Sequence, residues 1–140
     1  MLLNIREDVE PIYTISGLGD IYVVDEMYNG MFPMLFLGYS KQLDKMFTFN
    51  CSDVRLRDFV EYVVFETTFD MIDRSNNKSS DAVELMMEAS DKEELYLLIY
   101  DKEGFDILEK YKFDDLEDMY IPKRNTHFRY NKELLNAKKG

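Results

Sequence analysis

The segment from Asp73 to Glu84 carries the sharpest chemical pattern in the chain. Oxygen-bearing side chains fall on Asp73, Ser75, Asn77, Ser79, Asp81 and Glu84. These are the first, third, fifth, seventh, ninth and twelfth positions of a loop, the spacing with which an EF-hand wraps hard oxygen ligands around calcium. Two positions break the pattern. The sixth, where the sharp turn asks for Gly, is Lys78, whose ammonium also sets a positive charge beside the ion. The eighth, ordinarily apolar, is Ser80. A solvated loop between two helices accounts for the same residues, so calcium stays a secondary reading and no cofactor is expected.

Other chemistries find less support. Structural zinc needs clustered Cys and His, and the chain offers only Cys51 and His127, far apart in sequence. A Cys-His nucleophile pair would have to be assembled by the fold. Cys51, set among Phe47, Thr48, Phe49 and Asn50, reads as a small core residue. Gly17-Leu18-Gly19 lacks the further glycines and the Lys of a phosphate-cradling loop and reads as a turn. Carboxylates occur on nearly every element, so counting neither selects nor excludes an acid-base pair. No catalytic residue is assigned. A small enzyme with an unrecognised carboxylate site is a further alternative to a binding role.

Basic residues interleaved with aromatics occur in one place, Lys123, Arg124, His127, Phe128, Arg129, Tyr130 and Lys132. That is the composition of a nucleic-acid contact, but the six Lys and Arg of residues 123–140 are a modest footprint. Folding back onto an acidic body is the simpler expectation.

These residues need elements to position them. Ile21 to Tyr28 and Phe32 to Ser40 are rich in β-branched and aromatic residues, and Asn29-Gly30 between them signals a hairpin. Lys45 to Asn50 supplies a third strand and Ile12 to Ser16 a short earlier one. From Ser52, Leu56, Phe59, Val60, Val63 and Val64 recur at helical spacing with Arg55, Arg57, Asp58 and Glu61 opposite, which predicts an amphipathic helix over the sheet. Its end is ambiguous, because residues 63–69 suit a strand equally. Asp73 to Ser80 is polar and predicts a loop. Asp81 and Glu84 are spaced as a capping pair for a short helix to Ser90. Glu94 to Tyr100 and Phe105 to Phe113 flank Asp101-Lys102-Glu103-Gly104 as a second hairpin, with helix an alternative for 105–112. The expected fold is α+β: a small, mostly antiparallel sheet with an N-terminal hairpin or meander, one or two packed helices and a second hairpin.

Length and composition fit one domain. With 46% hydrophobic and 14% aromatic residues, the chain is too apolar to be disordered despite its net charge of -11. A single cysteine, an acidic amino terminus and no long apolar run point to a reducing cytoplasm. Charge is distributed unevenly. Residues 1–122 form an acidic body of net -16 and residues 123–140 a basic segment of net +5, expected as a helix or mobile tail. Residues 81–118 alone hold 14 Asp/Glu against four Lys, within apolar segments that must fold.

An acidic folded surface steers cationic partners toward itself and repels polyanions. The expected function is therefore non-enzymatic binding of a basic, nucleic-acid-handling protein. One setting is a phage or mobile-element inhibitor of a host defence nuclease such as CRISPR or restriction enzymes. An immunity protein or antitoxin against a basic toxin is the alternative, and charge that serves only solubility predicts the same composition. The candidate partner-binding carboxylates are Glu88, Asp91, Glu93, Glu94, Asp101, Glu103, Asp106, Asp114, Asp115, Glu117 and Asp118. Tyr96, Tyr100, Tyr111 and Tyr120 are the candidate aromatic anchors.

Overall fold

The β-rich first half of the sequence and the later hairpin join into one sheet. In the computed structural model, which describes residues 2–29, 33–55, 59–101, 106–131 and 133, seven strands follow in order. They are β1 (Tyr13–Ile15), β2 (Gly19–Asn29), β3 (Pro33–Ser40), β4 (Lys45–Arg55), β5 (Phe59–Glu66), β6 (Leu95–Asp101) and β7 (Asp106–Lys110). Each pairs antiparallel with its sequence neighbour, from β1 at one edge to β7 at the other. The architecture is α+β as expected, but the sheet is larger than the hairpin-based description. The tips at Gly30 and at 102–104 lie outside the described residues.

The sheet rolls up until its two edges approach. Tyr13 of β1 packs its ring 4.4 Å from Tyr100 of β6, and the Ser16 N–H donates to the Asp106 carboxylate at 2.8 Å. The inner face is filled by aromatics at alternate strand positions. Phe36 stacks on Phe49 at 4.6 Å, and Tyr62 meets both edge-on at 5.8 and 5.7 Å. At Gly38 a Cβ would fall 2.7 Å from Ile21 and 3.0 Å from Phe49, so the position is glycine because the rings leave no volume. The outer face presents Leu37, Tyr39, Met46, Val63, Phe65 and Leu95 to two helices, α1 (Phe69–Asn76) and α2 (Ala82–Asp91).

This two-sided covering explains the main disagreement with the sequence pattern. The region from Ser52 to Val64 is not a helix but the end of β4 and most of β5, with Leu56 to Asp58 outside the described residues. Residues 60–65 of β5 are all buried, because Val60, Tyr62 and Val64 enter the barrel while Val63 and Phe65 meet the outer core. A strand buried on both faces loses its alternation, and a 3.6-residue period can be traced through it by chance. Ser52 does not cap a helix; its hydroxyl bonds Glu61 across the β4–β5 pair at 3.1 Å.

Both helices have good starts. Thr68 caps α1 by accepting from the Met71 N–H, and Asp81 caps α2 in a reciprocal capping box with Glu84, as the spacing predicts. Residues 73–76, expected as loop, belong to α1, whose apolar residues Phe69, Met71 and Ile72 hold its inner side in the core. Residues 106–110 are strand, which settles that ambiguity.

Within residues 123–131 the basic end forms no helix. Residues 123–131 run irregular across the helices. The Phe128 carbonyl accepts from Ser75 Oγ at 2.6 Å, Asn76 exchanges two hydrogen bonds with the Tyr130 backbone, and the Tyr130 hydroxyl bonds Thr48 at 2.8 Å. Residues 134–140 lie outside the described residues. The change of charge at Pro122 therefore does not mark a break in packing.

Candidate functional site

The calcium pattern does not assemble. Asp73 and Ser75 sit inside α1, and the Ser75 hydroxyl is buried and bonded to Phe128. Asn77 Oδ1 accepts from Ser79, while Asp81 and Glu84 spend their carboxylates on the α2 cap. Among the described residues no group of His, Cys, Asp and Glu is placed to hold a metal ion. Lys78 does adopt the left-handed turn that the sixth loop position calls for, with φ of 66°, but it uses it to end α1.

Burial alone would raise the Asp81 carboxyl. The N–H groups of Glu84 and Asn125 and the charges of Arg124 and His127 outweigh it and hold the group below the ordinary carboxylate range. Asp81 is thus a structural acid that joins the basic segment to α2.

The predicted partner-binding carboxylates divide by location. Three are engaged internally: Glu88 with Arg74 at 2.6 Å, Glu94 with Lys45 at 3.2 Å and with the Tyr96 hydroxyl, and Asp106 with Ser16. Asp101 is half-buried at the end of β6, and Glu103 lies outside the described residues. The remaining six, Asp91, Glu93, Asp114, Asp115, Glu117 and Asp118, are all exposed.

Tertiary structure draws the two groups of exposed acids toward one place. The Phe113 N–H donates to Ser90 Oγ at 2.8 Å, which sets the 3-10 turn Phe113–Asp115 against the end of α2. Glu93 and Asp115 then line one surface groove with Lys110, Tyr111 and Lys112. Of the four tyrosines, Tyr111 alone lines this groove. Tyr96 is a core residue inside the barrel and does not serve as a surface anchor, Tyr100 packs on Tyr13 at the sheet seam, and half-buried Tyr120 packs on the outer core.

Glu93 is the member that sequence reasoning could not single out. The chain leaves α2 through a Schellman-type turn, with the Glu93 N–H bonded to the Ser90 carbonyl at 3.0 Å and the Glu94 N–H to the Ala89 carbonyl at 2.9 Å. This places Glu93 at φ of 63°, a left-handed position that glycine fills without strain. The last turn of α2 contains Asp91 and no basic residue, so both carboxylates face the negative end of the helix dipole. Lys112, at 4.0 Å from Glu93 and well exposed, offsets little of this.

Comparison with models of known protein families, with curated proteins and with solved structures yields no significant match. The site must be read from its own chemistry. Among the described residues no helix is long and apolar enough to cross a membrane.

Replacing Glu93 by Gly is expected to raise stability by about 0.5–1 kcal/mol, the usual gain when a strained left-handed residue becomes glycine. Denaturant unfolding midpoints of the two proteins measure it. A loss of stability would mean that the Glu93 side chain holds the turn in place.

Proposed function

We propose that this protein is a non-enzymatic acidic binding protein. The carboxylates gathered at the end of α2 occupy a cationic surface on a basic partner, and the partner class that best fits is a protein that handles nucleic acid. The observation that carries this reading is Glu93: a charged side chain is kept where backbone strain and the helix dipole both oppose it. Carboxylates that served only solubility would be as effective at unstrained positions a few residues away. Occupying a nucleic-acid-binding surface would block its normal ligand, so inhibition or neutralisation of the partner is the expected consequence.

The test is a charge reversal of Asp91, Glu93, Asp114 and Asp115 to Lys, with capture from the native host at two salt concentrations. The unaltered chain should recover a basic protein, less of it at high salt, with association slowed about 10- to 100-fold in the variant. Equal recovery by both proteins, or recovery indifferent to salt, overturns the reading. The internally paired Glu88 and Glu94 are left intact, so the variant retains the contacts that hold α1, α2 and β4 together.

A further inference from the structure

A second groove carries positive charge. It has a volume of about 230 Å³ and is lined by Ser75, Asn76, Lys78, His127, Arg129 and Tyr130. The way the chain builds it is simple. Phe128 and Tyr130 are buried, while the intervening Arg129 is exposed and the preceding His127 partly so. The hydrogen bonds from Ser75 and Asn76 fix that stretch against the end of α1. Lys78 enters from the other side, at a turn held by its own N–H on the Ser75 carbonyl and by the Ser79 N–H on the Arg74 carbonyl.

Two ordinary explanations for these cations do not hold. Neutralising the carbonyl end of α1 is one, but the Asp73, Arg74 and Ser75 carbonyls already accept backbone N–H groups. Pairing with carboxylates is the other. Asp and Glu outnumber Lys and Arg 28 to 17, yet among the described residues neither Lys78 nor Arg129 has a carboxylate within ion-pair distance. Asp81, whose charge interacts with His127, has both oxygens bonded to the N–H groups of Glu84 and Asn125, with Arg124 at 3.9 Å.

We infer that this groove is a binding site for a phosphate dianion, presented by a small phosphomonoester. The Arg129 guanidinium offers a planar fork of donors, Lys78 a point charge and His127 a ring donor, a set suited to a compact tetrahedral dianion. A nucleic-acid strand fits less well, because the surrounding body, net -16 over residues 1–122, repels an extended polyanion. The site shares no lining residue with the groove at the end of α2 and does not depend on the function proposed there.

His127 is the sole histidine of the chain, so its imidazole C–H resonance is an unambiguous probe. Inorganic phosphate, a nucleoside monophosphate and a single-stranded RNA oligomer are titrated in turn at near-neutral pH, with chloride at matched ionic strength as control. Phosphate and the monophosphate should shift His127 and the Lys78 and Arg129 amides saturably, with Kd on the order of 1 mM, while chloride should not. Lys78→Gly, which the left-handed turn accepts without strain, combined with Arg129→Gln should weaken binding at least about tenfold. Shifts that never saturate, or that persist in the double variant, overturn the site. RNA binding more tightly than phosphate, with affinity falling steeply in salt, replaces the phosphomonoester by a nucleic-acid backbone.

Discussion

Phe128→Ala is expected to destabilise the protein by about 3–5 kcal/mol, the usual cost of emptying a buried aromatic site. Phe128 is 6% exposed, stacks on Phe65 of β5 at 6.1 Å and meets Tyr130 edge-on at 6.2 Å. Its carbonyl also satisfies the buried Ser75 hydroxyl. The loss is large beside a typical total stability of about 5–15 kcal/mol. Chemical denaturation followed by circular dichroism measures it. Hydrogen exchange adds a local readout, because the Tyr130 N–H bonded to Asn76 and the Ala82 N–H bonded to the Thr126 carbonyl should both lose protection. A cost below about 1 kcal/mol, with both amides still protected, would make residues 123–131 a peripheral strap and not part of the core.

Raising the pH should unfold the protein cooperatively between about pH 10 and 12. Burial drives the Tyr62, Tyr96 and Tyr130 phenols above their ordinary range, and burial together with the Asp44 carboxylate pushes Tyr39 up to about 12. A phenol whose folded pKa is raised contributes stability that is fully present below the unfolded value, near 10, and lost as the pH climbs through the folded one. At pH 11.5 each phenol kept neutral costs about 2 kcal/mol relative to the unfolded chain, and four such groups approach the whole stability of a domain. Tyrosinate absorbance and far-ultraviolet circular dichroism should therefore change together in one steep step. Gradual titration of all ten tyrosines near pH 10 with the fold intact would contradict the buried placement. Removing two of these phenols, with Tyr62→Phe and Tyr130→Phe together, should move the midpoint to higher pH.

Acid behaves oppositely. The Tyr39 hydroxyl and the Leu2 N–H lower the Asp44 carboxyl, and Asp81 is lowered by its cap and its cationic neighbours against the effect of burial. Their contribution is present above about pH 4 and is lost as the pH falls through their depressed values.

The two grooves differ in charge in a way that the overall -11 conceals. One sets Glu93 and Asp115 beside Lys110 and Lys112 at the end of α2, and the other holds three basic side chains between α1 and the segment that follows Pro122.

The sequence by itself determined the local units. Hairpin residues, the Asp81–Glu84 capping pair and the β-branched and aromatic content of residues 21–28, 32–40 and 94–100 are encoded within a few neighbours, and strands over most of these residues and α2 lie where these signals put them. Only the tertiary structure decided how many faces each unit buries. β5 looked helical because both of its sides are covered, and residues 73–76 of α1 looked like loop because their polar side chains are spent on partners distant in sequence: Ser75 on Phe128, Asn76 on Tyr130 and Arg74 on Glu88. The same holds for function. Charge along the chain located the acidic region, but the apposition of residues 113–115 with the end of α2, the strained setting of Glu93 and the meeting of Lys78 with Arg129 each join residues that a linear pattern cannot relate. Their physical cause is the roll of the sheet and the docking of residues 123–131 on its helical face.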